Sequence, residues 1–331
     1  MSKLKIQNTL ENTKEEFIPV DPSNVRIYAC GPTVYDYAHI GNARMAVVND
    51  LLVRLLRTLF PKVTYVSNIT DIDDKIIEAA QTADIPFQEL TLKFEAIYNE
   101  DMAALGVHRP DVQPRATDHI AEMIALTKTL VKLGHAYEIK GHVLFHVPSF
   151  EKYGCLSGCN RDEQIVGSRV EVAPFKKDPA DFILWKPSPD PLPGWDSPWG
   201  FGRPGWHLEC SAMSEKTLGL PFDIHSGGMD LIFPHHENEI AQTCSAHKKI
   251  NNPKYFAKYW FHNGFVNVEG EKMSKSIGNI RLVHEMIKEY KGEVLRMTLL
   301  SAHYRQPLNW TKGIIKQNST MLDRLYRTLK D

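Results

Sequence analysis

In FPHHENEIAQ, His235 and Glu239 stand four residues apart, a spacing that puts both side chains on one helix face and offers one cation an imidazole and a carboxylate. Pro234 suits a first helical position, and on a helix entered there the neighbouring His236 points elsewhere. Two thiols extend the pair. Cys30 closes the β-rich run VRIYAC and Cys210 sits in GWHLECSAMS, and strand ends at one edge of a parallel sheet converge. Two thiolates, an imidazole and a carboxylate make a sound zinc shell, although on spacing alone Cys30 and Cys210 fit equally well as ordinary buried thiols. Cys155 and Cys159 form a C-x3-C pair with nothing nearby to complete a shell, and they read as free thiols.

A second kind of chemistry needs phosphate. The turn CGPTVYDYAHIGN offers backbone N–H groups and a helix N-terminus near His39 and Asn42, and Gly41 permits close approach of a ring or phosphate. Far along the chain, GEKMSKSIGN presents Lys272, Ser274, Lys275 and Ser276 on a loop, expected to be mobile, with glycines on both sides. Lysines and hydroxyls together suit a polyphosphate whose charge rises during in-line displacement at the α-phosphorus. Singly, each stretch fits a packed or solvated turn as well.

The elements that must position these residues are legible. VRIYAC (25–30) and KVTYVSNIT (62–70) are β-rich, and NARMAVVNDLLVRLLRTLF between them is helical, so the pair forms a βαβ unit of a parallel sheet. The ligand crevice of such a sheet lies at the carboxyl ends of its strands, where Cys30 and His39 fall. After LGVHRPDVQPRATDHI come a helix with MIALTKTLVKLGHAY, a hairpin around EIKGHVLFHVP and the Pro- and Trp-rich WKPSPDPLPGWDSPWGFGRPGW, which together read as an insertion over roughly 114–204. The sheet resumes at FDIHSGGMDLIF, and the segment from about 278 is mostly helical.

Composition narrows the class. With 331 residues, 43% of them hydrophobic, the chain can fill a sizeable core as two domains or as one α/β domain with an insertion. No stretch approaches the roughly 18 apolar residues of a membrane span, and MSKLKIQNTLENTKEE lacks the apolar core of a secretory signal, so a cytoplasmic protein with reduced thiols and no membrane partner is expected. Five scattered cysteines do not make a disulfide framework. A net charge of −1 leaves nucleic-acid contact to local patches. One such patch, from His303 onward, sets Arg305, Lys312, Lys316, Arg324, Arg327 and Lys330 against Asp323 and Asp331; by itself it reads as a solvated helix face.

Together these motifs resemble the class I aminoacyl-tRNA synthetases. His39-Ile40-Gly41-Asn42 is similar to that group's HIGH element, and Lys272 to Ser276 is a full match to KMSKS. More narrowly, CGPTVYDYAHIGNAR, NITDIDDKI, GWHLECSAMS and FPHHENEIAQ resemble the cysteinyl-tRNA synthetase family, and the likeness runs from about residue 5 to the end. The resemblance implies an α/β fold: a Rossmann-like parallel catalytic sheet split over 1–113 and 205–270, a connective insertion at 114–204, and the KMSKS loop with a helical stem-contact module at 271–331. It also implies ATP-dependent activation of cysteine to cysteinyl-adenylate and transfer to tRNA(Cys), by a monomer.

Residue by residue, the resemblance implies one Zn2+ per chain on Cys30, Cys210, His235 and Glu239, placing Cys30 against the substrate. A substrate thiolate can join such a metal and serine's hydroxyl is a poorer match, so no hydrolytic editing step is expected. His39 and Asn42 would meet the phosphates of ATP, which carries Mg2+, and Lys275 with Lys272 would stabilise the leaving pyrophosphate. Gly227 and Gly228 in SGGMDL would admit adenosine and Asp230 its ribose, with Ser226 standing where a glycine is often found. Trp206 would line the amino-acid pocket, with Thr70 and Asp71 near it.

Only 55 residues follow Ser276, enough for a short helical module but not for an anticodon-binding bundle, which implies a shortened chain or an enzyme that reads no anticodon. Ile314, Ile315, Met321, Leu322, Leu325 and Leu329 form an apolar stripe that needs a packing partner, and in this light the basic residues around it read as tRNA-stem contacts. Two rival readings are a ligase with a small amine acceptor, as in the related mycothiol pathway enzyme, and a zinc-stabilised nucleotide-binding module without catalysis.

Overall fold

A computed structural model describes residues 3–160, 163, 175–274 and 276–329. A hairpin of β1 (Lys5–Asn8) and β2 (Thr13–Glu16) precedes the expected βαβ unit of β3 (Val25–Ala29), α1 (Ile40–Leu59) and β4 (Val63–Ser67). Along α1, Ala43, Val47, Leu52, Val53 and Leu56 recur at helical spacing and are buried, and the helix ends before Pro61, which cannot continue its ladder. Asp73 caps α2 (Asp74–Ala83) through Lys75 N, and α3 (Phe87–Ala104) follows.

After α4 (Ile120–Lys132), the strands β5 (Ala136–Ile139), β6 (His142–Phe145), β7 (Phe182–Pro187) and β8 (Gly202–Pro204) form one antiparallel sheet in that order. The β5–β6 hairpin turns through Lys140 and Gly141, both at positive φ (51° and 76°), as a two-residue turn requires. The chain then returns through α5 (Trp206–Leu218), β9 (Phe222–Gly228), α6 (Glu237–Ala246) and β10 (Ala257–Asn263). The central sheet has the order β10-β9-β3-β4, parallel throughout. β10 was not among the strands expected from the sequence; covered on both faces, its AKYWFHN is a near-continuous buried run without the polar alternation of a half-exposed strand.

The last segment holds the expected helices α7 (Val283–Glu289), α8 (Gly292–Leu299) and α9 (Lys312–Thr328). A small sheet runs through it as well, ordered β12-β11-β13 from β11 (Val266–Val268), β12 (Glu271–Lys272) and β13 (Leu308–Trp310). One apolar cluster joins Tyr28 and Val66 of the central sheet to Leu130, Val143, Phe145 and Trp185 of the inserted layer. Another joins α1 to β11, β13, α7, α8 and Ile315 of α9. Only part of the α9 stripe packs: Ile315 is buried, Ile314 and Leu322 lean on that cluster, and Met321, Leu325 and Leu329 are exposed. No helix among the described residues is long and apolar enough to cross a membrane.

Candidate active site

Four elements bring the cation candidates together. Cys30 directly follows β3, Cys210 lies in α5, His235 precedes α6 and Glu239 lies in its first turn; all four are buried, with one donor atom from each inside a 4.8 Å cluster. Bond lengths of about 2.3 Å to sulfur and 2.0–2.2 Å to nitrogen or oxygen give a zinc tetrahedron edges of roughly 3.8 Å between sulfurs and 3.3 Å between nitrogen and oxygen. The corresponding distances are 3.6 Å for Cys30 Sγ to Cys210 Sγ, 3.6 Å for Cys30 Sγ to Glu239 Oε1 and 3.1 Å for His235 Nε2 to Glu239 Oε1. His235 Nε2 is buried and makes no hydrogen bond, while its Nδ1 lies 2.9 Å from His207 Nδ1. An unpartnered ring nitrogen aimed into the cluster with the opposite nitrogen anchored is the arrangement of a ligating histidine. These residues fit a divalent cation.

The expectation that His236 points away is corrected. The chain does not enter α6 at Pro234: residues 232–236 form a wide π turn with Phe233 extended (φ −135°, ψ 132°), and regular winding begins at Glu237. The 100° step between neighbours therefore fails there, and His236 Nε2 lies 3.3 Å from Cys30 Sγ. Cys30, His225, His236 and Glu239 thus form a second possible ligand set. In it, however, His225 Nε2 is hydrogen-bonded to the outer oxygen of Glu239 (Oε2, 2.9 Å). His236 Nδ1 meets His262 Nε2 at 2.8 Å, and His262 Nδ1 meets Thr9 Oγ1 at 2.8 Å.

Arg305 Nη1 donates to Thr9 Oγ1 (3.3 Å), so a continuous chain of polar contacts runs from Arg305 through Thr9, His262 and His236 to Cys30. His236 and His225 thus contact two members of the first set, Cys30 and Glu239. Burial, then Cys210 and Glu239, push the Cys30 thiol well up. Its hydrogen bond with Cys30 pulls Cys210 down, but burial and Glu239 outweigh it and Cys210 ends raised. Burial raises Glu239 against the pull of His225, drives His235 and His236 far down and takes His207 to about 4. Burial thus disfavours the charged form of each of these donors, and a divalent charge among them would act in the opposite sense.

At the start of α1, His39 Nδ1 accepts from Gly41 N (3.1 Å) and Asn42 N (3.3 Å), and Asn42 Oδ1 accepts from His39 N (3.1 Å), a reciprocal cap. Ile40 N donates to Arg281 O at 2.9 Å. The first-turn amides that the sequence offered for phosphate are therefore spent within the chain, and the groups left to meet an anion are side chains. With Nδ1 accepting, the His39 proton sits on Nε2, and burial, opposed by Asp230, lowers its pKa. A Cβ on Gly41 would lie 2.9 Å from the His39 ring and 3.3 Å from Met273 Cε, so the HIGN turn and the KMSKS segment touch here.

Gly227 and Gly228 end β9, but what a Cβ there would strike is the protein itself: His236 Cε1 at 2.7 Å and an Asp230 carboxylate oxygen, respectively. Asp230 is exposed. In the KMSKS segment, Ser274 N donates to Asn279 Oδ1 (2.9 Å), Asn279 Nδ2 to Lys272 O (3.2 Å), and Ser274 Oγ meets Ser276 Oγ at 2.9 Å. Lys272 is exposed, its Nζ 5.6 Å from the centre of the Phe265 ring; Lys275 lies outside the described residues.

Trp206 stacks on His235 (4.0 Å, 24°) and is 37% exposed, so it covers one face of that imidazole and reaches the surface. Thr70 is buried, accepts from Asn68 Nδ2 (3.3 Å) and donates to Glu209 Oε2 (3.1 Å). Asp71 has both oxygens on Thr117, at 3.0 Å to N and 2.6 Å to Oγ1, which makes it a tie to the segment before α4. The sequence reading missed His207, Glu209, His225 and His262. Its available signal was an imidazole in the carboxyl-terminal half of each of two apolar strands, in FDIHSGG and YWFHN. Arg305, counted in the basic patch, bonds inward to Thr9.

The family described as tRNA synthetases class I (C) catalytic domain matches residues 16–320. The chain is similar to a cysteine–tRNA ligase of Rhodospirillum rubrum, 58% identical over 327 residues that cover 99% of this chain and 70% of that one. It is also similar to one of Maricaulis maris, 57% identical over 332 residues covering 100% and 71%. Among solved structures, Mycobacterium tuberculosis methionyl-tRNA synthetase in complex with methionyl-adenylate superposes with a TM-score of 0.67 at 16% identity, over 89% of this chain and 68% of that one, a likeness of fold. On the extent of these matches, the chain belongs to the cysteine–tRNA ligase family of class I tRNA synthetases.

Proposed function

We propose that this protein activates cysteine with ATP and passes the cysteinyl group to tRNA(Cys). The observation that carries the reading is the convergence of Cys30, Cys210, His235 and Glu239 at near-tetrahedral spacing, with Trp206 stacked on His235 and Cys30 at the end of the strand that leads to the HIGN turn. One Zn2+ held by those four residues supplies, when bound, a Lewis acid for which a thiolate is a far better partner than a hydroxyl, which selects cysteine over serine.

The chain's own residues do the rest. Thr70 and Trp206 hold the amino acid so that its carboxylate oxygen attacks the α-phosphorus of ATP; a P–O bond forms, the bond to pyrophosphate breaks, and pyrophosphate leaves with its Mg2+. His39 through Nε2–H, Asn42, Lys272 and Lys275 take up the charge that grows on the departing phosphates. Gly227, Gly228 and Asp230 border the adenosine. A tRNA 3′-terminal hydroxyl then attacks the cysteinyl carbonyl and AMP leaves. We read 1–113 and 205–270 as the catalytic unit, 114–204 as its connective insertion, and 271–331 as the KMSKS and stem-contact module, the basic face of α9 serving the RNA.

The test is ATP–pyrophosphate exchange with cysteine and with serine, alongside metal analysis and charging of tRNA(Cys) against small amines. Cysteine-dependent exchange, RNA charging and about one zinc per chain are expected. Exchange with charging of amines alone would refute the RNA acceptor, and no exchange from zinc-loaded protein would refute the enzyme.

A further inference from the structure

Arg44, in the second turn of α1, is fully buried, and no carboxylate forms an ion pair with it among the described residues. Its guanidinium donates to four carbonyls: Nη1 to Gly264 O (3.1 Å) and Phe265 O (2.6 Å), Nη2 to His303 O (3.2 Å) and Gln306 O (2.7 Å). Burying a cation against neutral acceptors costs free energy, so only a geometric gain explains its presence. Burial lowers its pKa to about 10, which leaves it charged near neutrality.

The acceptors define what it does. Gly264 and Phe265 lie just before β11, and His303 and Gln306 just before β13. Everything between them, including β11, β12, the KMSKS segment, α7 and α8, departs and returns past this neck, and it also packs on α1 and α3 through the cluster around Val47 and Leu295 and the Arg296–Asp50 and His284–Asp101 pairs. The crossing is tight: Gly264 N donates to Tyr304 O at 2.7 Å, and a Cβ on Gly264 would fall 2.5 Å from Gln306 O. Higher up, the same limb meets the HIGN turn where Ile40 N donates to Arg281 O (2.9 Å) and Val283 N to Ala38 O (2.8 Å).

We propose that Arg44 is a positioning residue for ATP: by clamping both passes of the neck to α1, it holds the limb that carries Lys272 in register with His39 and Asn42. The proposal rests on the reading of those residues as the ATP site. Arg44 itself touches no substrate. Lysine, a point donor, cannot reproduce a fork that serves four carbonyls.

The test uses the whole chain with Arg44→Lys and Arg44→Gln, measuring ATP affinity by calorimetry, separate exchange parameters for ATP and cysteine, and bound zinc. ATP affinity and kcat/KM for ATP should fall roughly tenfold or more, while KM for cysteine stays within about twofold and zinc is unchanged. Loss that merely tracks the folded fraction, or unaltered ATP parameters in folded Arg44→Lys, overturns the proposal. Should neither variant fold, Gly264→Ala wedges the neck with Arg44 intact; the same ATP-selective loss supports the clamp and its absence refutes it. An unsubstituted protein that binds no ATP refutes the ATP site itself, and this role with it.

Discussion

The cation cluster is decided by single atoms. His235 Nε2 is buried without a hydrogen bond, whereas His236 Nε2 faces Cys30 and its Nδ1 is tied to His262. His235→Ala should therefore abolish tight zinc binding, while His236→Ala weakens it by about 10–100-fold, as expected for an orienting neighbour. Chelator competition reads both. If His236→Ala proves the more damaging, the ion sits in the set of Cys30, His225, His236 and Glu239 instead. Cys210→Ser should lower bound zinc and cysteine activation together, and activation that survives complete zinc loss would show that the metal has no part in choosing the substrate.

At the scale of elements, the last helix is only half docked. Ile315 is buried in the cluster beneath α1, so Ile315→Ala should cost about 2–5 kcal/mol. Leu325 is exposed, and Leu325→Glu should stay within about 0.5 kcal/mol. Chemical denaturation separates the two, and similar costs would mean that the outer stripe packs on something. Between α5 and the end of α6, Glu215 Oε1 lies 3.0 Å from His247 Nε2; this hydrogen bond raises the His247 pKa above 6.5 against the effect of burial. A raised pKa stabilises the folded state fully below pH 6.5, and that contribution disappears as pH rises through the folded value. The stability gap between the protein and Glu215→Gln should close over that interval; a gap constant with pH removes the assignment.

Across the whole molecule, the inserted layer does not keep its own core. Leu130, Phe145 and Trp185 share a cluster with Tyr28 and Val66 of the catalytic sheet, and Lys186 of β7 and Arg203 of β8 both meet Asp74 at the start of α2. Calorimetry should therefore show one cooperative transition. Chelation should lower its midpoint, since a ligand at about 100 times its Kd stabilises the fold by ~2.7 kcal/mol. Two resolved transitions, one of them indifferent to chelator, would mean that the layers unfold separately.

The local order of the chain was legible from residues alone, because hydrophobic period and turn chemistry act over a few positions: the βαβ unit, the Lys140–Gly141 hairpin and the terminal helices stand where the pattern put them. The choice of Cys30, Cys210, His235 and Glu239 as a possible shell was likewise within reach, since their chemistry is complementary whatever the path between them. β10 was not, because burial on both faces erases the alternation that marks a strand. Nor was the inward turn of His236, which depends on a non-regular turn that helical spacing cannot encode. The Arg281 carbonyl that takes up Ile40 N and the four carbonyls around Arg44 come from segments more than 200 residues away in sequence, and only the packed fold brings their dipoles to these points.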